Sequence, residues 1–323
     1  MLPNFVYFGV PKSGSATLTE LLKKHPQVYC PRQKELNFFN RDREYEKGLA
    51  YYQEQYFRGW QDESVICDNS IGYASGNFRK TAARVRAALT GDVRVLLTVR
   101  QPARRAYSQY CMARYKGGFE KLSFLEAVES AIAAENTYGD EDLRRVETGS
   151  NYSSARDMAI FRHALYLVPG RYADIAGVLQ ELFGVENVLI LFTDDIAKDL
   201  SREFGRLTDF LGIDAVDVSG VERSNEATTL KYPWLKRGYN IAYSIPWVRS
   251  VVGALSPERR KFLRRRLMSW NYTRNTSVPP PSPEAMALLD AYYENQMADL
   301  GKLLGRDMSG TDLHNDPAEA RRA

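Results

Sequence analysis

The sequence is poor in the side chains that most often carry metal or thiol chemistry. Three cysteines (Cys30, Cys67, Cys111) and three histidines (His25, His163, His314) occur in 323 residues. The cysteines are odd in number and sit in no metal-ligand spacing, which fits reduced thiols and argues against a disulfide framework. The histidines are as scattered, so neither a metal centre nor a cysteine–histidine nucleophile is expected. No run of about 18 apolar residues is present to span a bilayer, and no basic, apolar leader precedes the first strand; a soluble, cytoplasmic protein is the expectation. Repeats and low-complexity tracts are missing too. A formal net charge of +4 is too mild to mark a nucleic-acid binder, although it favours anionic ligands. The oligomeric state is left open.

What is present is an alternation of short apolar runs and amphipathic stretches. Phe5 to Val10, Val65 to Asp68, Val93 to Val99 and Asn187 to Phe192 read as strands buried on both faces, the pattern of a parallel sheet. Helical patterns cover residues 15–25, 76–89, 103–115, 123–135, 172–183 and 201–212. The expected fold is α/β, three-layered and P-loop-like, with a central parallel sheet flanked by helices and a helical C-terminal region. Residues 1–215 would form the core, and 216–306 a capping loop and C-terminal helices of the same domain. Ser256-Pro-Glu and Ser282-Pro-Glu both look like helix starts. Residues 307–323 lack apolar periodicity and read as a disordered tail. The basic run Arg259 to Arg266 reads as a solvated helix, with attraction of an anionic acceptor as the lesser alternative.

The stretch Phe5-Val-Tyr-Phe-Gly-Val-Pro-Lys-Ser-Gly-Ser-Ala-Thr17 carries the most chemistry. A strand, a short polar loop and a helix start leave the first helical amides without partners inside that helix, and an anion supplies them. Lys12 adds a point charge, Gly14 permits close backbone approach, and Ser13, Ser15 and Thr17 add hydroxyl donors, with Ala16 between them. Such a turn is by itself also an ordinary strand-to-helix connection. The nucleoside-triphosphatase order, lysine after the last glycine and then a hydroxyl for magnesium, is missing: here Lys12 precedes Gly14. No metal is implied. A second anchor is Arg100, at the carboxyl end of the strand 93–99, with Ser108 two turns into the next helix. Ligands of open α/β sheets lie beyond the carboxyl ends of the strands, so both anchors would meet one molecule phosphorylated at two ends.

With these anchors the chain resembles the sulfotransferases that use 3′-phosphoadenosine 5′-phosphosulfate (PAPS), in particular the heparan sulfate and related carbohydrate branch. Pro11-Lys-Ser-Gly-Ser15 is similar to that family's 5′-phosphosulfate loop, and Val99-Arg-Gln-Pro102 with Ser108 to its 3′-phosphate motif. Lys34-Glu-Leu-Asn-Phe-Phe39 and Tyr45-Glu-Lys-Gly-Leu-Ala-Tyr-Tyr52 resemble segments between them. The resemblance implies sulfuryl transfer to an acceptor hydroxyl of a carbohydrate or small molecule, leaving 3′-phosphoadenosine 5′-phosphate (PAP), without a metal. It implies donor contacts from Lys12, Ser13, Gly14, Ser15, Ala16, Thr17, Arg100 and Ser108. Glu35 would be the general base and Lys12 the catalytic cation, while Phe39, Asn69 and Tyr73 would line the acceptor side. Asp68-Asn-Ser-Ile-Gly-Tyr73 departs from the family's Glu-Lys-Thr-Pro-x-Tyr, because Asn69 stands where relatives carry lysine, and Asn40 replaces an aspartate of some members. A nucleotide kinase-like phosphotransferase and a non-catalytic PAP-binding sensor are the alternative readings.

Overall fold

The structure is a computed structural model and describes residues 1–139, 141–142, 154–218, 228–230, 272–274 and 278–308. The Ser256-Pro-Glu helix start, the basic run 259–266, most of the expected capping loop and the tail from 309 lie outside the described residues. The chain divides into two compact units. One comprises Met1–Gln109, Leu122–Ser224 and Pro281–Ala323, the other Tyr110–Lys121 and Asn225–Pro280. In the second, β6 (Thr228–Leu230) and β7 (Tyr272–Arg274) pair antiparallel, and Met112–Gly117 forms a π-helical turn.

The first unit is built on β1 (Phe5–Gly9), β2 (Val28–Tyr29), β3 (Val65–Asn69), β4 (Arg94–Val99) and β5 (Val188–Phe192). They form one sheet in the order β2-β3-β1-β4-β5, every neighbouring pair parallel. Alternate residues of β1 face opposite sides, as the two-residue period of a strand requires. Val6 and Phe8 enter a core with Val95, Leu97, Ile175 and Leu179, whereas Phe5 and Tyr7 enter a second core with Leu18, Leu22, Leu96 and Leu207. Helices cover both faces. They are α1 (Ser15–Lys24), α2 (Asp42–Tyr45), α3 (Gly48–Phe57), α4 (Phe78–Ala88), α5 (Pro102–Cys111), α6 (Phe124–Ala133), α7 (Ala155–Arg162), α8 (Tyr172–Phe183), α9 (Thr193–Lys198), α10 (Leu200–Leu211) and α11 (Pro283–Leu304). This is the expected three-layer α/β fold with a parallel central sheet.

Side-chain caps set several of the boundaries. Ser123 opens α6 with a capping box, its hydroxyl accepting from the Glu126 amide while the Glu126 carboxylate accepts from the Ser123 amide. Ser282 caps α11, with Pro283 at the first helical position. The chain leaves β3 on one side of β1 and re-enters the sheet as β4 on the other. The strand order therefore reverses at β1, and its carboxyl end is the place where such sheets open a crevice.

Candidate active site

The residues after β1 turn sharply. Lys12 has φ 73° and Gly14 φ 74°, both left-handed, a conformation that costs a non-glycine residue roughly 1–2 kcal/mol. Gly14 is the N-cap of α1, no side chain caps that end, and no acidic residue occupies the first turn. The opening amides of α1 therefore retain their positive end, which fits a phosphate or phosphosulfate group. Lys12 is half-buried at this loop.

Ser13 is fully buried, and its hydroxyl contacts the carbonyl oxygens of Val10 and Thr98, the latter at 2.8 Å. The Val10 amide also donates to the Thr98 carbonyl, at 3.2 Å. Two residues beyond Thr98, Arg100 leaves the end of β4, its amide donating to the Tyr172 hydroxyl at 3.3 Å. Thr193, at the end of β5, donates to the Val99 carbonyl at 2.9 Å, and a Cβ on Gly14 would lie 3.2 Å from its Cγ2. The loop, the end of β4 and the start of α9 are thus stitched along one sheet edge. Gln101 extends the stitching to the C-terminal helix, because its Nε2 donates to Asp290 Oδ1 at 2.6 Å while its Oε1 accepts from the Arg104 amide. Ser108 is half-buried on α5. Ser15 and Thr17 are buried in the first turns of α1, and Ala16 is half-buried between them.

Glu35 reaches this edge from the β3 side. A Cβ on Gly9 would collide with Ala74 Cβ at 2.5 Å and the Ile71 carbonyl at 2.9 Å, so the 3-10 turn Ile71–Ala74 packs directly on the end of β1. That turn holds Glu35: the Gly72 amide donates to Glu35 Oε2 at 3.1 Å, and the Glu35 amide donates to the Asn69 carbonyl at 3.3 Å. Glu35 itself has φ 56° and Asn37 φ 54°. Lys12, Glu35 and Asn37 are three of the four left-handed non-glycine residues among the described residues, Asn136 being the fourth. Burial pushes the Glu35 carboxyl up to about 7; the Gly72 amide pulls it down and Asp68 pushes it further up. Such a group is poised to exchange a proton near neutrality.

The other residues expected on the acceptor side, Asn69, Phe39 and Tyr73, are held by the following contacts. Asn69 donates from Nδ2 to Thr19 Oγ1 at 2.9 Å, binding the end of β3 to α1. Phe39 and Tyr73 are fully buried and meet edge to face with centroids 5.9 Å apart. The Tyr73 hydroxyl donates to Asp68 Oδ2 at 2.8 Å. Sequence reasoning passed over three contributors: Asp68, Thr193 and Tyr172. A carboxylate inside the apolar run Val65-Ile-Cys-Asp68 was the available signal for the first; Thr193 and Tyr172 carried none. Among the described residues no group of three or more metal-ligating side chains occurs, and no helix is long and apolar enough to cross a membrane.

A strand–loop–helix turn with an uncapped helix start and a strand-end arginine thus stand on one edge of a parallel sheet, and half-buried Glu35 is held by the turn packed on the end of β1. The profile of the sulfotransferase domain family matches residues 2–232, and the chain belongs to that family. Within that family it resembles the heparan sulfate branch. It is 27% identical over 216 residues to human heparan sulfate glucosamine 3-O-sulfotransferase 3B1, which covers 66% of this chain and 46% of that protein. It is 29% identical over 164 residues to the membrane-associated sulfotransferase kil1 of Dictyostelium discoideum, covering 46% of this chain and 34% of that protein. The chain thus spans about half the length, or less, of these curated relatives. In fold it is similar to a crystal structure of a sulfotransferase from Alicyclobacillus acidocaldarius, with a TM-score of 0.62 at 19% identity over 98% of this chain and 100% of that one.

Proposed function

We propose that the protein transfers a sulfuryl group from PAPS to an acceptor hydroxyl of a carbohydrate or small molecule, with Glu35 as general base. The observation that carries this reading is the bond from Ser13 to the Thr98 carbonyl, which ties the Lys12 loop to the strand that ends in Arg100. A donor phosphorylated at both its 5′ and 3′ positions then finds a cation for each end on one edge. Lys12 and the first amides of α1 receive the 5′ phosphosulfate, and Arg100 with Ser108 the 3′-phosphate.

In the transfer the bond between sulfur and the bridging oxygen breaks, and the electron pair stays on that oxygen as PAP departs. Lys12 and the loop amides stabilise the charge growing there, the preorganised electrostatic contribution expected of this geometry. The acceptor oxygen forms the new bond to sulfur and gives its proton to Glu35, a role that contributes about 10² to 10⁴-fold. A carboxyl that titrates near 7 is ionised often enough to accept the proton and basic enough to hold it. The relatives named for glucosamine 3-O-sulfation support a glycan hydroxyl as the first acceptor to try. Asn69, in place of the lysine of that branch, gives less reason to expect a polyanionic one.

The test is transfer of labelled sulfate from PAPS to a panel of heparan-type oligosaccharides, neutral sugars, aliphatic alcohols and phenols. Label in at least one acceptor, lost in Glu35→Gln, supports the reading. Transfer undiminished in that variant removes Glu35 from the chemistry.

A further inference from the structure

Behind Glu35 lies a carboxylate that the reaction does not touch. Asp68 is fully buried at the end of β3 and accepts three hydroxyl hydrogen bonds. Ser70 donates to its Oδ1 at 2.5 Å, while Tyr52 at 2.5 Å and Tyr73 at 2.8 Å donate to its Oδ2. With its proton directed at Asp68, Ser70 Oγ offers a lone pair to the Leu36 amide, which donates to it at 3.0 Å. Leu36 follows Glu35, so the Glu35–Leu36 segment is pinned to one short stretch of chain by three bonds. They join the Glu35 amide to the Asn69 carbonyl, the Leu36 amide to Ser70 Oγ and Glu35 Oε2 to the Gly72 amide.

We propose that Asp68 is a positioning residue for the transfer reaction: through Ser70 and Leu36 it holds Glu35 in its left-handed conformation against Gly72 and beside the donor loop. The inference rests on Glu35 being the group that takes the acceptor proton. A buried carboxylate is costly, and here its cost is offset by three donors rather than by a cation. Removing a cost of that kind by substituting an apolar residue would be easy if packing were its only purpose. Burial pushes the Asp68 carboxyl up and its three hydroxyl donors pull it down. The groups acting on Glu35 are Asp68 from the end of β3, Lys34 and Arg41 from its own segment, and Tyr7 from β1, whose hydroxyl is shared with Thr98 at 3.1 Å.

The experiment follows the Glu35 carboxyl carbon by carbon-13 NMR against pH, with the resonance assigned by its loss in Glu35→Gln, and amide hydrogen exchange at Leu36 and Gly72. It needs no acceptor. Asp68→Asn is expected to lower the Glu35 midpoint from near 7 and to speed exchange at both amides by roughly tenfold, the loss of one or two bonds in a locally opening segment. Tyr52→Phe, which removes a donor outside the Ser70 path, is expected to leave both amides protected. An Asp68→Asn protein with an unmoved midpoint and unchanged exchange overturns the proposal. If that variant does not fold, Ser70→Ala cuts the same path while retaining the carboxylate: faster exchange at Leu36 supports the proposal, and unchanged exchange overturns it. Should Glu35→Gln still transfer sulfate, the base assignment fails and Asp68's part in transfer fails with it, while the titration and exchange results, read independently of turnover, still report whether Asp68 holds Glu35 in place.

Discussion

The Ser13 hydroxyl donates to the Thr98 carbonyl at 2.8 Å across the boundary between the anion loop and β4. That bond, with the Val10 amide on the same carbonyl, ties the Lys12 loop to the strand that leads into Arg100, as the proposed donor site requires. Ser13→Ala removes a buried donor that reaches the Val10 and Thr98 carbonyls. A stability loss of about 1–3 kcal/mol is expected, together with weaker PAP binding. Thermal melts with and without PAP measure both, and an unchanged affinity would place the bond outside the site's architecture.

The two cations should separate by the end of the nucleotide they serve. Lys12→Ala is expected to weaken PAPS binding and turnover, the loss of a charged hydrogen bond being worth roughly 1.5–3 kcal/mol. Arg100→Ala should instead abolish the preference for PAP over adenosine 5′-phosphate. Calorimetric titration of both nucleotides against both variants checks this, and a 3′-phosphate preference surviving in Arg100→Ala contradicts the assignment.

Glu35 links activity to stability with opposite signs. Its folded-state value of about 7 lies above the ordinary 4.5, so the native state holds this proton more tightly than the unfolded chain. Its contribution to stability is full below about 4.5 and falls away as pH rises towards 7, while the ionised base becomes available over the same interval. Turnover is expected to rise with pH through about 7. Glu35→Gln removes the burial penalty, so it should melt higher than the wild type at pH 8, by at most about 3 kcal/mol, and lose transfer. Melting curves at pH 5 and pH 8 read the sign; a variant less stable at pH 8 than the wild type contradicts it.

Gly9 ends β1 where the strand slips register against β4, between Tyr7 and Gly9. Gly9→Ala is expected to cost about 1–3 kcal/mol by overpacking, because its Cβ would meet Ala74 and Ile71. The Ile71–Ala74 turn must then move, taking Glu35 with it, so activity should fall further than the melting temperature alone explains.

The sheet and the strand–loop–helix turn after β1 were legible because strand-length apolar runs and a short polar, glycine-containing loop before a helix are local signals. Val6, Phe8 and Val10 announce a buried strand, and Gly14 announces the sharp turn into the helix that follows. β2 was not legible, since Val28–Tyr29 is too short to show a period. The helix α3 was also missed: among Gly48–Phe57 only Tyr52, Tyr56 and Phe57 are buried, and a run of tyrosine and glutamine carries little amphipathic contrast. Glu35 was visible as a residue but its environment was not. Arg32, Gln33 and Lys34 before it are exposed, and its burial comes from the distant turn Ile71–Ala74. Asp68 shows the same limit, for a carboxylate within an apolar run signals something, yet Tyr52, Ser70 and Tyr73 become its donors only through packing.

The most direct measurement is the melting temperature of the wild-type protein with PAP, with adenosine 5′-phosphate and with ATP–magnesium at matched concentrations. A cleft with a cation for each phosphorylated end predicts the largest rise with PAP, a smaller one with adenosine 5′-phosphate and no added effect of magnesium. A rise with ATP–magnesium equal to or above that with PAP would contradict it.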